Sequence, residues 1–193
     1  MVAPVIRPRR LPRRDQRGFS LVELINLLAI VALLATVGMY GMSLYIRHGK
    51  TAEAVGNVSA IGQAAAAYYN GSDAHQPAGT RPEQAKAMRH FPPSSRQTVP
   101  ADLDAIKGKR FQSAIGDWSV SPWMELQFKV NQPQSYAYGF EAQGSGQGAQ
   151  ATVTATGDLD GNGARSSYKL TVAPNAQLEA IVGTSIERTA PEE

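Results

Sequence analysis

Few side chains in this sequence could do chemistry, and Glu23 is the one under most physical constraint. It stands directly before Leu24–Ile46, a run of 23 residues without a charged side chain in which Asn26 is the most polar. A carboxylate at membrane depth is costly, so it calls for a cationic partner or a role. The plainer alternative is a glutamate in the first turn of a helix, favoured by the helix dipole close to the headgroups. A second constellation is Asp158-Leu159-Asp160-Gly161-Asn162-Gly163, which matches the start of a calcium-binding loop. Oxygen ligands on alternate residues can converge on Ca²⁺ once a glycine turns the chain, but Lys169 occupies the twelfth position, where a bidentate Glu is needed. A tight turn, in which Asp, Asn and Gly supply hydrogen bonds and positive φ, accounts for the same residues and is preferred. No metal ligand and no cofactor is therefore assigned.

Enzyme chemistry finds no foothold. His48, His75 and His90 are isolated, and no G-x-S-x-G, P-loop or H-E-x-x-H pattern occurs. Cysteine is absent, which removes disulfides, Cys–zinc sites and thiol nucleophiles. No catalytic residue is expected.

The elements that position Glu23 begin with charge. Residues 1–18 hold six arginines (Arg7, Arg9, Arg10, Arg13, Arg14 and Arg17) against Asp15 alone. That leaves 13 of the 19 Lys+Arg and 15 of the 16 Asp+Glu for the remainder, so the body of the chain is slightly acidic. Lys107, Lys109 and Arg110 form only a small basic cluster there, and no nucleic-acid partner is expected. Pro4, Pro8 and Pro12 keep the arginines out of a helix, and the positive-inside rule places them in the cytoplasm. As a helix, the uncharged run would span about 35 Å, enough for a hydrocarbon layer about 30 Å thick. It is too long for a secretory signal peptide and is followed by no A-x-A-like cleavage site.

Arg17-Gly18-Phe19-Ser20-Leu21-Val22-Glu23-Leu24 resembles the prepilin cleavage and methylation signal of type IV pilins and type II secretion pseudopilins. The likeness covers roughly residues 13–55. It implies that a prepilin peptidase cuts between Gly18 and Phe19, leaving 175 of the 193 residues, and methylates the new N-terminal amine. Glu23 would then be the fifth residue after the cut, where the family keeps a glutamate that pairs with the N-terminal amine of a neighbouring subunit. The expected partners are further copies of the chain, joined through their N-terminal helices into a homopolymer, the peptidase, and an inner-membrane assembly machinery. The implied product is a pilus subunit, or alternatively a minor pilin or pseudopilin of a short periplasmic fibre. The chain would be single-pass in the inner membrane before assembly, and at the cell surface or in the periplasm afterwards. One departure stands out: the family commonly carries a proline at the position of Tyr40, whereas residues 19–69 contain none.

The expected fold is α+β, a long N-terminal transmembrane and stalk helix packed on a C-terminal antiparallel sheet. Residues 1–18 form the leader, 19–69 the helix, 70–123 a variable connection with a short helix, and 124–193 the sheet. Ala54, Val58, Ile61, Ala65 and Tyr68 recur at helical spacing and predict a stripe lying on the sheet. Asn70-Gly71 predicts the helix stop, and Thr80-Arg81-Pro82-Glu83 reads as a capping box opening a helix to about Arg89. Alternation predicts four strands: one through Leu126, Phe128 and Val130, one through Tyr136, Tyr138 and Phe140, one over 151–156 and one over 168–172. The three aromatics of the second strand are expected in the core. Gly144–Gly148 predicts a flexible hairpin loop, and Ala180-Ile181-Val182 a further short strand before a polar tail.

Overall fold

The computed structural model describes residues 18–72 and 79–190. The arginine-rich segment, His75 and the last three residues lie outside the described residues. The chain divides into two units, Met1–Ser43 and Leu44–Glu193. Helix α1, Leu21–Gly71, begins in the first and ends in the second. It stops at the glycine predicted to stop it.

In the first unit, Leu21–Met42 is long and apolar enough to cross a membrane, and none of it is buried. Large apolar side chains are exposed on every side, from Leu21 at 73% to Met42 at 64%.

In the second unit, α1 shows one buried face. Ala54, Val58, Ile61, Ala65 and Tyr69 have no solvent exposure. The stripe thus ends on Tyr69 and not on the predicted Tyr68, which is half-buried with its ring edge-on to His90. Both positions lie on the helix face after Ala65; the Phe91 ring, 4.9 Å away, and a bond from the Tyr69 hydroxyl to the Gly146 carbonyl (2.8 Å) select Tyr69. Gly62 lies in this face because the sheet comes so close. A Cβ there would stand 2.7 Å from Leu170 Cδ2.

The sheet is antiparallel throughout: β1 Ala137–Gln143, β2 Gln150–Gly157, β3 Ser166–Pro174, β4 Ala180–Val182 and β5 Glu187–Thr189. Strands β1 to β4 lie in chain order, and β5 also pairs with β3, beyond the end of β4. Alternation does what the sequence pattern implies: Val153 and Ala155 of β2 are buried, as are Tyr168, Leu170 and Val172 of β3. Tyr136, Tyr138 and Phe140 are fully buried core residues. The short strand at Ala180–Val182 is present, whereas β5 lies in what reads as polar tail.

The sheet begins at Ala137, not at residue 124. The stretch expected to form its first strand is a series of turns, with Leu126 N donating to Pro122 O at 3.0 Å, Phe128 N to Trp123 O at 3.1 Å, and Gln127 at φ 50°. Trp123 and Leu126, three residues apart, are the buried pair, so a turn of helical spacing satisfies the apolar residues better than a strand. Trp118, Trp123, Phe128 and Tyr138 form one aromatic cluster with ring separations from 5.1 to 6.4 Å. The outer edge of β1 is closed by the connection preceding it: Val99 exchanges both backbone bonds with Tyr138, and the Ser94 and Ser95 hydroxyls accept from Ala142 N and Phe140 N.

The connection holds the expected short helix, α2, Pro82–Ala87. It starts one residue later than the capping box implies, with Arg81 at the N-cap and Pro82 in the first turn. The 144–148 hairpin loop is fastened rather than free: Gly146 N donates to Arg89 O at 2.7 Å while its carbonyl accepts from Tyr69.

Candidate functional site

Gly18, Phe19 and Ser20 are exposed and precede the helix, and nothing lies within 4 Å of where a Cβ on Gly18 would stand. The Gly18–Phe19 bond is therefore accessible and lies outside the helix. Phe19 is 74% exposed.

Glu23 lies in the first turn of α1. Its backbone N–H donates to Ser20 Oγ at 3.2 Å, and its Oε2 accepts from Ser20 N and Ser20 Oγ, both at 3.4 Å. This is the reciprocal arrangement of a capping box, with Ser20 at the N-cap and Glu23 at the third helical position. The sequence signal for it is S-x-x-E, Ser20 to Glu23, directly ahead of an apolar run. The 3.4 Å contacts are long for hydrogen bonds and engage one carboxylate oxygen, so Glu23 keeps acceptor capacity for another partner.

The Asp158–Gly163 segment folds as a self-contained turn after β2. Asp158 is buried, its Oδ1 accepting from Gly161 N at 2.7 Å and its Oδ2 from Gly163 N at 3.0 Å. Asp160 accepts from Asn162 through both oxygens, and Asn162 Oδ1 accepts from Ala164 N. Gly161 has φ +79° and packs against Gly108, whose N–H donates to the Asp158 carbonyl at 2.8 Å. The turn is therefore also a clamp on the preceding connection. Among the described residues, no group of three or more His, Cys, Asp or Glu side chains converges as a metal site would.

Of the basic cluster, Arg110 stands 3.5 Å from Glu53, whose other oxygen accepts from Ser135 N. A cleft of about 970 Å³ opens beside the connection, lined by Val99, Pro100, Phe111, Val120 and Trp123 among others. Two core tyrosines have raised pKa values. Burial pushes Tyr136 up to about 12, and burial likewise raises Tyr138, opposed by the bond that Asn57 Nδ2 donates to its hydroxyl at 2.7 Å.

No family model, no curated protein and no solved structure matches this chain. Its architecture is α+β, with an apolar N-terminal helix and a C-terminal antiparallel sheet.

Proposed function

We propose that the chain is the precursor of a pilin-like fibre subunit, cut after Gly18, N-methylated at Phe19 and polymerised through its apolar helix. The observation that carries this reading is one juxtaposition: an exposed, non-helical Gly18–Phe19 bond directly ahead of a bare apolar helix with Glu23 in its first turn. The cut creates an amine at Phe19, and a buried carboxylate and a buried ammonium each cost several kcal/mol alone. Pairing them between neighbouring copies offsets much of that cost. A copy at the wrong height leaves both charges unpaired, so the pair selects a register more than it adds stability.

The test is the mass and N-terminal residue of the mature chain in a sheared surface-fibre fraction. An N-methylated phenylalanine at position 19 is expected. A chain that keeps residues 1–18, or is cut elsewhere, refutes the proposal.

A further inference from the structure

Besides Glu23, the apolar helix carries a side chain that lipid cannot satisfy. Asn26 is exposed within Leu21–Met42, and its carboxamide has no hydrogen-bond partner among the described residues. In an upright span it stands roughly 8 Å from the middle of Leu21–Met42 and roughly 13 Å from the middle of the uncharged run Leu24–Ile46, hence about 2–7 Å inside a hydrocarbon layer about 30 Å thick. Lysine or arginine would extend its head group to the interface from that depth; asparagine is too short. An amide in hydrocarbon needs a partner from another helix, and carboxamides at such positions fix how helices pair.

Glu23 precedes Asn26 by three residues and so shares its face. Its two contacts to Ser20 use Oε2 alone. A carboxylate offers about four lone-pair sites, so one copy can retain its cap and still accept an N–H from another.

We propose that Asn26 donates a side-chain N–H to the Glu23 carboxylate of an adjacent copy and thereby sets the stagger between parallel helices. This rests on the fibre reading, in which Glu23 of one copy accepts the Phe19 amine of the next. That pairing offsets the two helices by four residues, about 6 Å. Glu23 of the next copy then stands one residue from the height of Asn26, so amine and amide contacts belong to one register. The unstaggered alternative sets Asn26 against Asn26 but also brings two Glu23 carboxylates side by side, a like-charge contact in a low dielectric. A second copy is thus the occupant whose donors and acceptors complement this face.

The chain has no cysteine, so introduced thiols report without interference. Two full-length forms, one carrying Ala29→Cys and the other an affinity tag with Leu33→Cys, are co-expressed and oxidised in native membranes with copper phenanthroline. Both positions lie on the Asn26 face, and a four-residue stagger sets 33 of one copy against 29 of the next. At equal expression, mixed 29–33 dimers are expected to exceed the share that random pairing of the two forms gives, twice the yield of either 29–29 or 33–33 dimers. That excess should vanish when both forms also carry Asn26→Leu and return with Asn26→Gln, which keeps the donor. Mixed dimers at or below the 1:2:1 proportion of random pairing, or an excess indifferent to Asn26→Leu, overturn the proposal. The mass of the same chains separates the two readings. A cut leader without the excess defeats the Asn26 contact alone; an uncut leader defeats the fibre reading, and the Asn26 contact then stands or falls on the cross-links.

Discussion

Between Leu21 and Met42 helix α1 presents apolar side chains on every side, whereas between Ala54 and Tyr69 it buries them on one. The second stretch is complete within the chain. Its small residues, Ala54, Gly62 and Ala65, let the sheet approach, and Asn57 at the border of the stripe reaches the Tyr138 hydroxyl. The first stretch is rich in Leu, Ile and Val, and among the described residues of its unit none covers them. The lesson is a division of labour along one helix. Substitutions in the second stretch should act on folding, and those in the first on what surrounds the helix.

The largest effect is expected at Glu23, where the structure offers a cap and the proposed fibre asks for a charge. Glu23→Ala removes both; Glu23→Gln removes only the charge, because glutamine also completes a capping box. Breaking one partner of a buried ion pair typically costs about 3–5 kcal/mol, repeated here at every subunit. Both variants should therefore insert normally, lose the leader and yield few or no fibres by quantitative immunoblot of sheared and membrane fractions. Normal fibre yield from Glu23→Gln would assign Glu23 to capping alone.

Next is the buried stripe. Ile61 has no solvent exposure, and Ile61→Ala should cost about 2–5 kcal/mol, through lost burial plus a cavity. Urea unfolding of the full chain in detergent, followed by Trp118 and Trp123 fluorescence, reads this directly, since both tryptophans are buried in the second unit. Leu28→Ala in the first stretch should move the same midpoint by no more than about 0.5 kcal/mol equivalent. Equal shifts would erase the contrast between the two stretches.

What the sequence made legible follows the same contrast. Period and charge are local properties, and they marked the apolar span, the helix stop, the stripe as far as Ala65 and strands β1 to β4. Where an outcome depended on distant residues, local pattern gave the wrong answer. Tyr68 and Tyr69 are equally placed by periodicity, and Phe91 and the 144–148 loop decided between them. Leu126 and Phe128 alternate as a strand would, and here the deciding contact is near in the chain: the Pro122 and Trp123 carbonyls take their N–H groups, a helical spacing that the alternation conceals. At the candidate site Gly18, Phe19 and Glu23 were legible from residue type and spacing. Ser20, whose hydroxyl accepts from Glu23 N, is marked in the sequence only by its three-residue spacing from Glu23.

A smaller effect is expected at the Asp158 turn. The carboxylate accepts from two backbone N–H groups while buried, and hydrogen bonds to a charged group are each worth about 1.5–3 kcal/mol. Two such bonds sum to about 3–6 kcal/mol, and water reaching half-buried Gly161 and exposed Gly163 recovers part of it, so Asp158→Ala should destabilise the second unit by about 2–3 kcal/mol in the same urea assay. Calcium or a chelator should leave the melting temperature of the wild-type chain unchanged, because a ligand that binds only the folded state must raise it. A rise of several degrees with calcium, lost in Asp158→Ala, would make the turn a cation site.

The smallest effect is expected at Tyr136, and it depends on pH. Its hydroxyl is buried without a partner of hydrogen-bonding geometry among the described residues, although the Ser166, Thr51 and Tyr168 hydroxyls stand near enough to influence its ionisation. Tyr136→Phe removes that unsatisfied group and retains a ring at the position packed edge-on against Tyr168, so the change at neutral pH should stay within about 0.5 kcal/mol. Alkaline pH changes the balance. Burial holds the folded phenol up at about 12 against an ordinary value of 10.0. Between those values the unfolded chain has shed the proton and the folded chain has not. Stability that is fully present below pH 10 is therefore lost as pH rises toward 12, at up to about 1.4 kcal/mol per pH unit for this group. Tyr138, also raised by burial, acts in the same direction, and because an ionised Tyr136 adds to its rise, the substitution lessens that contribution too. Urea midpoints at pH 9, 10 and 11 should fall less steeply in Tyr136→Phe than in the wild type. Parallel slopes would mean that Tyr136 ionises no less readily in the folded chain than in the unfolded one.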